Sequence, residues 1–447
     1  MAIKQERFSA QEKWELFSAI TIKGGLYTPP STFGSQPGFF SLDNIKKKRE
    51  SLAVATKLKR EDAIYVHIPF CKGKRCLFCM YPSIIKYDYN DVTTYVERIF
   101  REFSYWKDSM LTRLRSFYVG GGTPSILTSK QIKDAFKPIL DLPYLEKAER
   151  TCEVSPFSID KKKIKTLHDI GFNRLSIGVQ SLDPVVLNSV NRDFASYEYI
   201  KSLVEYALEN NFLDVNVDMM IGLANENIDN ICLDIEKILC SGALSLTVYI
   251  CRNLHIKSEI EEQERRKRVE KTLLRIYDIV KDYNWICEQG NTGTEYNCFS
   301  SPKKQFKLLP HLTYGDGFRN YNLWGFGAKA ISVTPAMAYK CNSYDLEFSS
   351  SAKRYKIYTY NIKQQMQLAL CTMLYSSNMT IDCKLFEKAF GIKIEDAFFK
   401  ELQELEQLNK LEMDSRFIHI HCNNVVEEAT ALKFFWDWDH LLSLIGV

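Results

Sequence analysis

Three cysteines lie within nine residues of one another, in the segment Cys71-Lys-Gly-Lys-Arg-Cys76-Leu-Phe-Cys79. Thiolates at this spacing can bind one soft metal centre from a single loop. A structural zinc site normally has four protein ligands, and the sequence offers no second Cys-x-x-Cys or His pair. Three thiolates on a four-iron cluster instead leave one iron open to a substrate or cofactor. We therefore expect a [4Fe–4S] cluster, with zinc or redox thiols as the alternative.

The composition is that of a globular protein long enough for two or three domains, with 45% apolar and 26% charged residues in 447. Its net charge of +4, from 59 basic and 55 acidic residues, is too small to indicate nucleic-acid binding. No apolar stretch is long enough to span a bilayer, and the start of the sequence lacks the apolar segment of a secretory signal. These features predict a cytoplasmic protein whose thiols stay reduced.

Short β-rich runs alternate with longer amphipathic runs from about residue 62 to about residue 300. The β-rich runs cover residues 64–70, 116–121, 151–155, 174–180, 215–223 and 245–251. Strand-then-helix repeats predict parallel strands with right-handed crossovers. The expected fold class is therefore α/β, as a partial (β/α)6 TIM-like barrel, with an open doubly wound sheet as the alternative. Ligands in such folds bind at the carboxyl ends of the strands, and the cysteine segment directly follows the first run.

The alternation of β-rich and amphipathic runs, and its absence at the two ends, divides the chain into three parts. Residues 1–60 form a polar N-terminal leader, and residues 61–335 form the catalytic domain with the alternating pattern. Residues 336–447 are expected to form a small, mostly helical C-terminal domain, in which 411–413 and 417–421 form a pair of short strands.

The segment YVHIPFC (65–71) resembles the opening signature of the oxygen-independent coproporphyrinogen III oxidase-like family of radical S-adenosylmethionine (SAM) enzymes. The likeness continues in the family's order through VGGGTP (119–124), CEVSP (152–156), GFNRLSIGVQ (171–180), VNR (190–192), NVDMMIGL (216–223) and GFGAKAIS (325–332). Seven segments in one order are a specific match. The resemblance assigns the cluster to Cys71, Cys76 and Cys79, with the open iron chelating SAM.

The resemblance also implies a SAM site at the strand ends. Tyr65, the candidate catalytic residue, would line this site together with Ile331. Gly121 and Gly122 would let the backbone approach the cofactor's amino group without an intervening side chain, or would simply form a tight turn. Glu153 would accept hydrogen bonds from the cofactor's ammonium group, or would be an exposed acid at a strand end.

Some members of the family bind a second SAM molecule, so the number of SAM molecules expected here is one or two. The matching positions in this chain are Phe78, Gly122, Thr123, Gln180, Arg192 and Asp218. The planar fork of Arg192 suits a carboxylate, and Asp218 suits a ribose diol. The alternative is an Arg192–Asp218 salt bridge that braces the sheet.

The sequence departs from the family pattern at four places, one of which is Ala224, where the family has a proline after Gly-Leu. Four residues separate Cys71 from Cys76, where the family usually has three. Tyr81 occupies the position of a further cysteine in true coproporphyrinogen oxidases. The sequence also lacks the His-Asn-x-x-Tyr-Trp stretch typical of the related haem chaperones. These departures favour an unassigned relative over a true oxidase.

The function that the resemblance implies is reductive cleavage of SAM at the cluster to a 5′-deoxyadenosyl radical. The enzyme would be a coproporphyrinogen III dehydrogenase-like oxidoreductase, or a methyltransferase, acting on a tetrapyrrole such as a porphyrinogen or on a secondary metabolite. An electron donor such as flavodoxin or ferredoxin would reduce the cluster. The alternative is a haem-binding or trafficking protein that lacks oxidase activity.

Overall fold

The computed structural model describes residues 8–24, 35–110, 113–251, 259–289, 296–309, 321–376, 379–423 and 425–436. Two helices come first, α1 (Ala10–Gly24) and α2 (Leu42–Ser51). Strands and helices then alternate in the order β1 (Glu61–Ile68), α3 (Tyr89–Trp106), β2 (Leu114–Gly121), α4 (Ser129–Leu140), β3 (Tyr144–Val154), α5 (Lys161–Ile170), β4 (Arg174–Gln180), α6 (Pro184–Ser189), α7 (Tyr197–Glu209), β5 (Asp214–Ile221), α8 (Ile228–Leu239), β6 (Ser245–Ile250) and α9 (Glu259–Asp282).

The remaining described elements begin with strands and end with helices. They are β7 (Ile286–Gln289), β8 (Tyr296–Ser300), β9 (Tyr321–Phe326), β10 (Ile331–Val333), β11 (Met337–Cys341), β12 (Tyr355–Thr359), α10 (Ile362–Ser376), β13 (Thr380–Asp382), α11 (Cys383–Phe390), α12 (Ile394–Ala397), α13 (Phe399–Gln407), β14 (Leu411–Met413), β15 (Phe417–Ile420) and α14 (Val425–Leu432).

Twelve of the described strands form one sheet, in the order β12-β11-β10-β9-β1-β2-β3-β4-β5-β6-β8-β7. Strands β1 to β6 pair in parallel in the order of the chain, and β9 joins the other side of β1, also in parallel. A doubly wound sheet would reverse its strand order at a switch point, and β1–β6 do not. The predicted partial (β/α)6 barrel is confirmed.

The two faces of the parallel strands differ because side chains alternate along a strand. On the outer face, Ile64, Val66, Val215 and Val217 are fully buried in one apolar core that includes the amphipathic faces of the flanking helices. The inner face is polar; for example, the Thr247 hydroxyl donates to the Asn216 side chain, 2.9 Å away. The alternation therefore places apolar packing outside the sheet and polar chemistry inside it.

The sheet extends beyond the alternating region of the sequence. Antiparallel strands β10, β11 and β12 continue it to Thr359, and Phe40 and Ser35 of the leader form isolated bridges to Tyr355 and Tyr358. The expected domain boundary at residue 335 falls within this sheet. The division into a leader (1–60), a catalytic domain (61–335) and a C-terminal domain (336–447) stays a prediction.

The C-terminal region is mostly helical, with a three-stranded sheet in the order β13-β15-β14. The predicted strand pair at 411–413 and 417–421 is confirmed as β14 and β15. Helix α1 of the leader packs on this region, where Phe17 enters a second apolar core and Lys13 forms a buried ion pair with Glu404. In the part of the chain that the structure describes, no helix is both long and apolar enough to cross a membrane.

Asp62 joins two central strands of the sheet. Its carboxylate is fully buried and accepts hydrogen bonds from the Asn322 side-chain amide (2.6 Å) and the Trp324 indole N–H (2.8 Å) of β9. The guanidinium of Arg49 stacks over the Trp324 ring, 3.8 Å from its centroid. A polar side chain at the start of β1 thus fixes the strand that leads into the cysteine segment.

Replacement of Asp62 by alanine should lower the free energy of unfolding by about 2–4 kcal/mol, because two buried donors lose their acceptor. Urea unfolding followed by tryptophan fluorescence measures this loss. The control Asp134→Ala removes an aspartate from an exposed ion pair with Lys130 and should cost less than about 0.5 kcal/mol. Equal effects of the two substitutions would contradict the role given to Asp62.

Candidate active site

The three cysteines lie on a loop that is closed at its base. After β1 ends, the backbone N–H of Cys71 donates to the Ile84 carbonyl (3.0 Å), and the N–H of Ile84 donates to the Pro69 carbonyl (2.7 Å). The Leu77 N–H donates to the Val190 carbonyl (3.0 Å), which ties the loop to the residue after α6. We call residues 71–84 the cysteine loop. It lies at the carboxyl end of the parallel strands, where ligands bind in such sheets.

Each thiol of the cysteine loop has a polar neighbour. The Thr123 hydroxyl lies 3.6 Å from Cys71 Sγ, Arg192 Nη1 lies 3.8 Å from Cys76 Sγ, and the Tyr81 carbonyl lies 4.0 Å from Cys79 Sγ. Burial raises the pKa of Cys71 and of Cys79, and the neighbouring thiols of the loop raise both further. The three thiols are thus close enough to interact electrostatically.

Within the described residues, no group of three or more His, Cys, Asp or Glu side chains is arranged so that it could hold a single metal ion. The predicted cluster ligands Cys71, Cys76 and Cys79 share one loop, and their assignment stays a prediction.

His67 connects β1 to the cysteine loop. Its Nε2 lies 3.1 Å from the Pro82 carbonyl, which can only accept, so we assign the proton to Nε2. Its Nδ1 then accepts from the Tyr65 hydroxyl, 3.1 Å away. Burial lowers the pKa of His67 to about 4, so the ring is neutral at physiological pH. The sequence motif contained His67, but this bridge was not predicted.

The glycines after β2 are required by neighbouring protein atoms. A Cβ on Gly121 would lie 2.6 Å from ring atoms of His67, and the residue has φ = +114°. A Cβ on Gly122 would lie 2.6 Å from the Phe70 carbonyl oxygen, and one on Gly120 would lie 2.8 Å from the Glu153 carboxyl carbon. The glycines therefore let β2 approach the cysteine loop and β3 closely, as well as turning the chain.

Glu153 is held at the end of β3 by two donors. Its Oε1 accepts from the Tyr118 hydroxyl (2.9 Å), and its Oε2 accepts from the Gly121 N–H (3.2 Å). Burial raises the pKa of Glu153 to about 7, and the negative charge of Asp218 adds to the rise. The Glu153 carboxyl group is therefore partly buried and not an exposed acid, and both its protonated and its ionised forms are populated near neutral pH.

Asp218 on β5 lies on the same polar inner face. Its two oxygens accept from the Ser176 hydroxyl (2.9 Å) and the Asn216 amide (2.7 Å). Burial raises the pKa of Asp218, an effect that these hydrogen bonds and the charge of Arg192 partly oppose. Within the described residues Arg192 and Asp218 form no ion pair, so a salt bridge bracing the sheet is not observed.

Arg192 instead spans the gap between the sheet and the cysteine loop. Its Nη2 donates to the Gly178 carbonyl of β4, while Nη1 lies beside Cys76 Sγ. Its buried Nε has no hydrogen-bond partner. Gln180, two residues after Gly178, has φ = +76°, a left-handed backbone conformation that is uncommon for a residue with a side chain.

The other predicted positions lie around the same strand ends. Thr123 contacts Cys71, as described above, and Phe78 packs on a small apolar cluster that includes Val186 and Leu223. Ile331 begins β10 beside Gly325, the residue of β9 that pairs with Tyr65. A Cβ on Gly325 would overlap the Ile331 carbonyl, so Tyr65 and Ile331 lie on closely packed strands.

Helix α3 supplies polar contacts that sequence reasoning missed. The Tyr95 hydroxyl donates to the His67 carbonyl (2.7 Å) and accepts from the Ala328 N–H (2.8 Å). Glu102 accepts from the Gly327 N–H (2.9 Å). These buried side chains fix the turn that leads to Ile331. The one signal in the sequence was the presence of polar residues on the apolar face of an amphipathic helix.

Comparison with known proteins identifies the domain that carries these residues. Residues 65–238 match the model of the Radical SAM superfamily. The chain contains a radical SAM domain. Relatives of this chain include the heme chaperone HemW of Lactococcus lactis, 26% identical over 81% of this chain and 94% of that protein. Another is the oxygen-independent coproporphyrinogen III oxidase of Helicobacter pylori (strain J99), 28% identical over 82% of this chain and 81% of that protein.

A solved structure shares the fold of this chain. It is the coproporphyrinogen III oxidase (HemN) from Escherichia coli, with a TM-score of 0.71, 20% identity, and coverage of 90% of this chain and 97% of that one. The resemblance inferred from the sequence motifs is confirmed, and radical SAM proteins as a family use a [4Fe–4S] cluster and SAM. The relatives carry both oxidase and chaperone names.

The contact between Gly121 and His67 can be tested with two alanine substitutions. Gly121→Ala should reduce bound iron after anaerobic reconstitution at least severalfold, because the new Cβ displaces the ring that holds the cysteine loop. Gly171→Ala is a matched control, since Gly171 also has φ = +114° but a Cβ there would meet nothing closer than 3.9 Å. It carries only the backbone strain of about 1–2 kcal/mol. Iron and sulfide assays together with thermal unfolding distinguish the two effects, and equal iron loss in both variants would count against the contact.

Proposed function

We propose that this protein is a radical SAM enzyme whose [4Fe–4S] cluster is held by Cys71, Cys76 and Cys79 and which acts on a porphyrinogen-like substrate or a secondary metabolite. The observation that carries the proposal is the position of three mutually interacting thiols on one closed loop. This loop lies over the carboxyl ends of parallel strands and next to a partly buried carboxylate, Glu153.

The residues present suit such a cluster and its cofactor. Three thiols are a soft donor set, and three ligands leave one iron of a four-iron cluster open. The partnerless Nε of Arg192 is a buried donor that a ligand's carboxylate could satisfy. Glu153 and Asp218 form no ion pair in the described structure and would complement cationic and hydroxyl groups. The three thiols, the partnerless Nε of Arg192 and the two carboxyl groups all suit SAM.

With cluster and SAM bound, the site supplies one-electron cleavage of the sulfonium to a carbon radical. The chain's own residues position the reactants. Glu153 would accept hydrogen bonds from the cofactor's ammonium group, and Tyr65, held by His67, would line the same strand ends. Asp218 on β5 and Arg192 after α6 would offer a diol acceptor and a carboxylate donor. A second SAM would contact these two residues together with Phe78, Gly122, Thr123 and Gln180.

The names of the relatives support a porphyrinogen-like substrate, and one side chain, Tyr81, distinguishes this chain from the true oxidases. Oxidative decarboxylation of a porphyrinogen is the activity suggested by the coproporphyrinogen oxidase names, whereas methyl transfer would use the second SAM. Tyr81, where true oxidases have a further cysteine, is exposed and lies near Tyr249 of the inner face. This substitution favours a substrate or outcome that differs from that of the oxidases.

The decisive experiment is anaerobic reconstitution followed by addition of dithionite and SAM, with 5′-deoxyadenosine measured by mass spectrometry. The wild-type protein should form it, and Cys76→Ala should form none because the cluster loses one of three ligands. Cys240→Ala, which removes an exposed thiol at the end of α8, should behave as wild type. An intact wild-type cluster that yields no 5′-deoxyadenosine would refute the enzyme proposal.

Haem handling is a second candidate function. The specific observation in its favour is that the chain matches 94% of the length of a heme chaperone. Haem titration followed by absorbance distinguishes the two candidates. A trafficking protein binds haem stoichiometrically and consumes no SAM, whereas the proposed enzyme forms 5′-deoxyadenosine with or without haem.

The role of Glu153 predicts how SAM binding depends on pH. Its pKa of about 7 means that the carboxyl group is mostly protonated at pH 6 and mostly ionised at pH 7.5. Only the ionised form attracts an ammonium group, so SAM affinity should rise roughly five- to tenfold between these pH values. Anaerobic equilibrium dialysis of the reconstituted protein measures this change.

Two variants make the pH measurement specific. Glu153→Gln should bind SAM more weakly and with little dependence on pH. Glu226→Gln is the matched control, because burial also raises the pKa of Glu226 to about 7. Glu226 accepts from the Gly222 N–H after β5 and not from the Gly121 N–H. This variant should therefore keep the wild-type dependence of SAM affinity on pH. If Glu226→Gln abolished the pH dependence and Glu153→Gln did not, the assignment of Glu153 would be wrong.

A further inference from the structure

A row of neighbouring residues crosses five strands of the sheet. Tyr65 of β1 pairs with Gly325 of β9, and Ile331 of β10 lies beside Gly325. Ile331 pairs with Lys340 of β11, and Lys340 pairs with Lys356 of β12. Side chains of residues that are directly opposite each other on neighbouring strands lie on the same face of a sheet. The row therefore leads from two candidate SAM-site residues to two lysines.

The two lysines point to the same side of the sheet as Tyr65. Ala338 belongs to the second apolar core, and Tyr358 packs against this core, as Tyr65 does. Each lysine is two residues along its strand from Ala338 or Tyr358, so its side chain lies on the same face. Both lysines are partly buried. Burial is the main cause of the low pKa of His67, and the positive charge of Lys340 contributes to it.

The described residues around these lysines do not neutralise their charges. Neither ammonium group forms an ion pair or a hydrogen bond with a described residue. Lys356 Nζ lies over the ring of Phe39, 4.5 Å from its centroid. Asp345, an acid close in sequence to Lys340, pairs instead with Arg354 (3.0 Å). Like charges directly opposite each other on neighbouring strands destabilise a sheet, and an anion bound between the two ammonium groups would remove this cost.

We propose that Lys340 and Lys356 form an anion subsite that binds a carboxylate of the substrate and thereby selects acidic substrates. The inference rests on the proposed function, in which Ile331 lines the SAM site. The lysines lie one and two strands further along the sheet, so their backbones are about 5 and 10 Å from that of Ile331. An anionic group held there lies beside the cofactor, where a substrate must lie in order to react.

The test measures binding and does not depend on turnover. Coproporphyrin III, a tetracarboxylic acid, and its tetramethyl ester, which has no carboxylate, are fluorescent probes with the same ring. In the reconstituted full-length protein, Lys340→Gln/Lys356→Gln should weaken binding of the acid about tenfold or more, because charge-assisted hydrogen bonds to its carboxylates are lost. Binding of the ester, followed by the same fluorescence titration, should not change.

Two further variants make the measurement specific to charge at this position. Lys384→Gln/Lys388→Gln removes two exposed lysines from α11 and should leave the affinity for both probes at the wild-type value. Lys340→Arg/Lys356→Arg keeps both positive charges and should restore most of the affinity for the acid.

Several outcomes would overturn the anion subsite. They are a wild type that binds neither probe or binds both equally, and a Lys340→Gln/Lys356→Gln variant that binds the acid as tightly as the wild type. Equal weakening of both probes would show a loss of structure. Weaker binding of SAM to the same variant in equilibrium dialysis would assign the lysines to the carboxylate of the cofactor and not to that of the substrate.

The proposed function is tested separately from the subsite. With dithionite and SAM, the wild type and all three double variants should form 5′-deoxyadenosine. Failure of the wild type to form it would refute the proposed function, even where the lysines bind the acid.

Discussion

The neutral imidazole ring of His67 contacts three of the segments that carry the candidate site. His67 can link the Tyr65 hydroxyl to the Pro82 carbonyl only while one ring nitrogen donates and the other accepts. Its low pKa, caused by burial, keeps it in this form at physiological pH. The His67 ring occupies the space where a side chain of residue 121 would lie. The backbone N–H of Gly121 donates to Glu153. Three strands and the cysteine loop therefore meet at one residue.

The two faces of the sheet have different roles. The outer face buries aliphatic side chains against helices and supplies most of the hydrophobic free energy, while the inner face carries hydroxyl, amide and charged groups. A closed and fully packed TIM barrel would fill this interior with bulky apolar side chains. The open sheet keeps a polar interior, and its polar groups satisfy one another through hydrogen bonds such as those among Ser176, Asn216 and Asp218. The polar side chains of the inner face therefore find hydrogen-bond partners within the protein.

Local patterns predicted the parts of this structure that local forces determine. The six β-rich runs became β1 to β6, because alternation and β-branched residues report directly on a strand with one buried apolar face. The cysteine spacing located the loop, and family motifs located the strand ends. Contacts between distant segments had no such signal. The bridges of Phe40 and Ser35 to β12, and the hold of Tyr95 and Glu102 on the turn before Ile331, depend on how segments more than 200 residues apart in sequence pack together.

The distribution of charge inside the sheet argues for a cationic ligand. At the amino-terminal end of the strands, Arg174 pairs with Asp214 (3.0 Å), which also binds Lys304 (2.8 Å), so acids there are neutralised within the protein.

At the carboxyl end, Glu153 and Asp218 form no ion pair among the described residues, and the negative charge of Asp218 raises the pKa of Glu153 further. Burial is the main reason why the pKa of both carboxyl groups is raised, and the charges of Arg174 and, for Asp218, of Arg192 oppose this rise only in part. A protein that neutralises one end of its interior and leaves two carboxyl groups unpaired at the other has a site in which a bound cation completes the charge balance. A sulfonium bearing an ammonium group is such a cation.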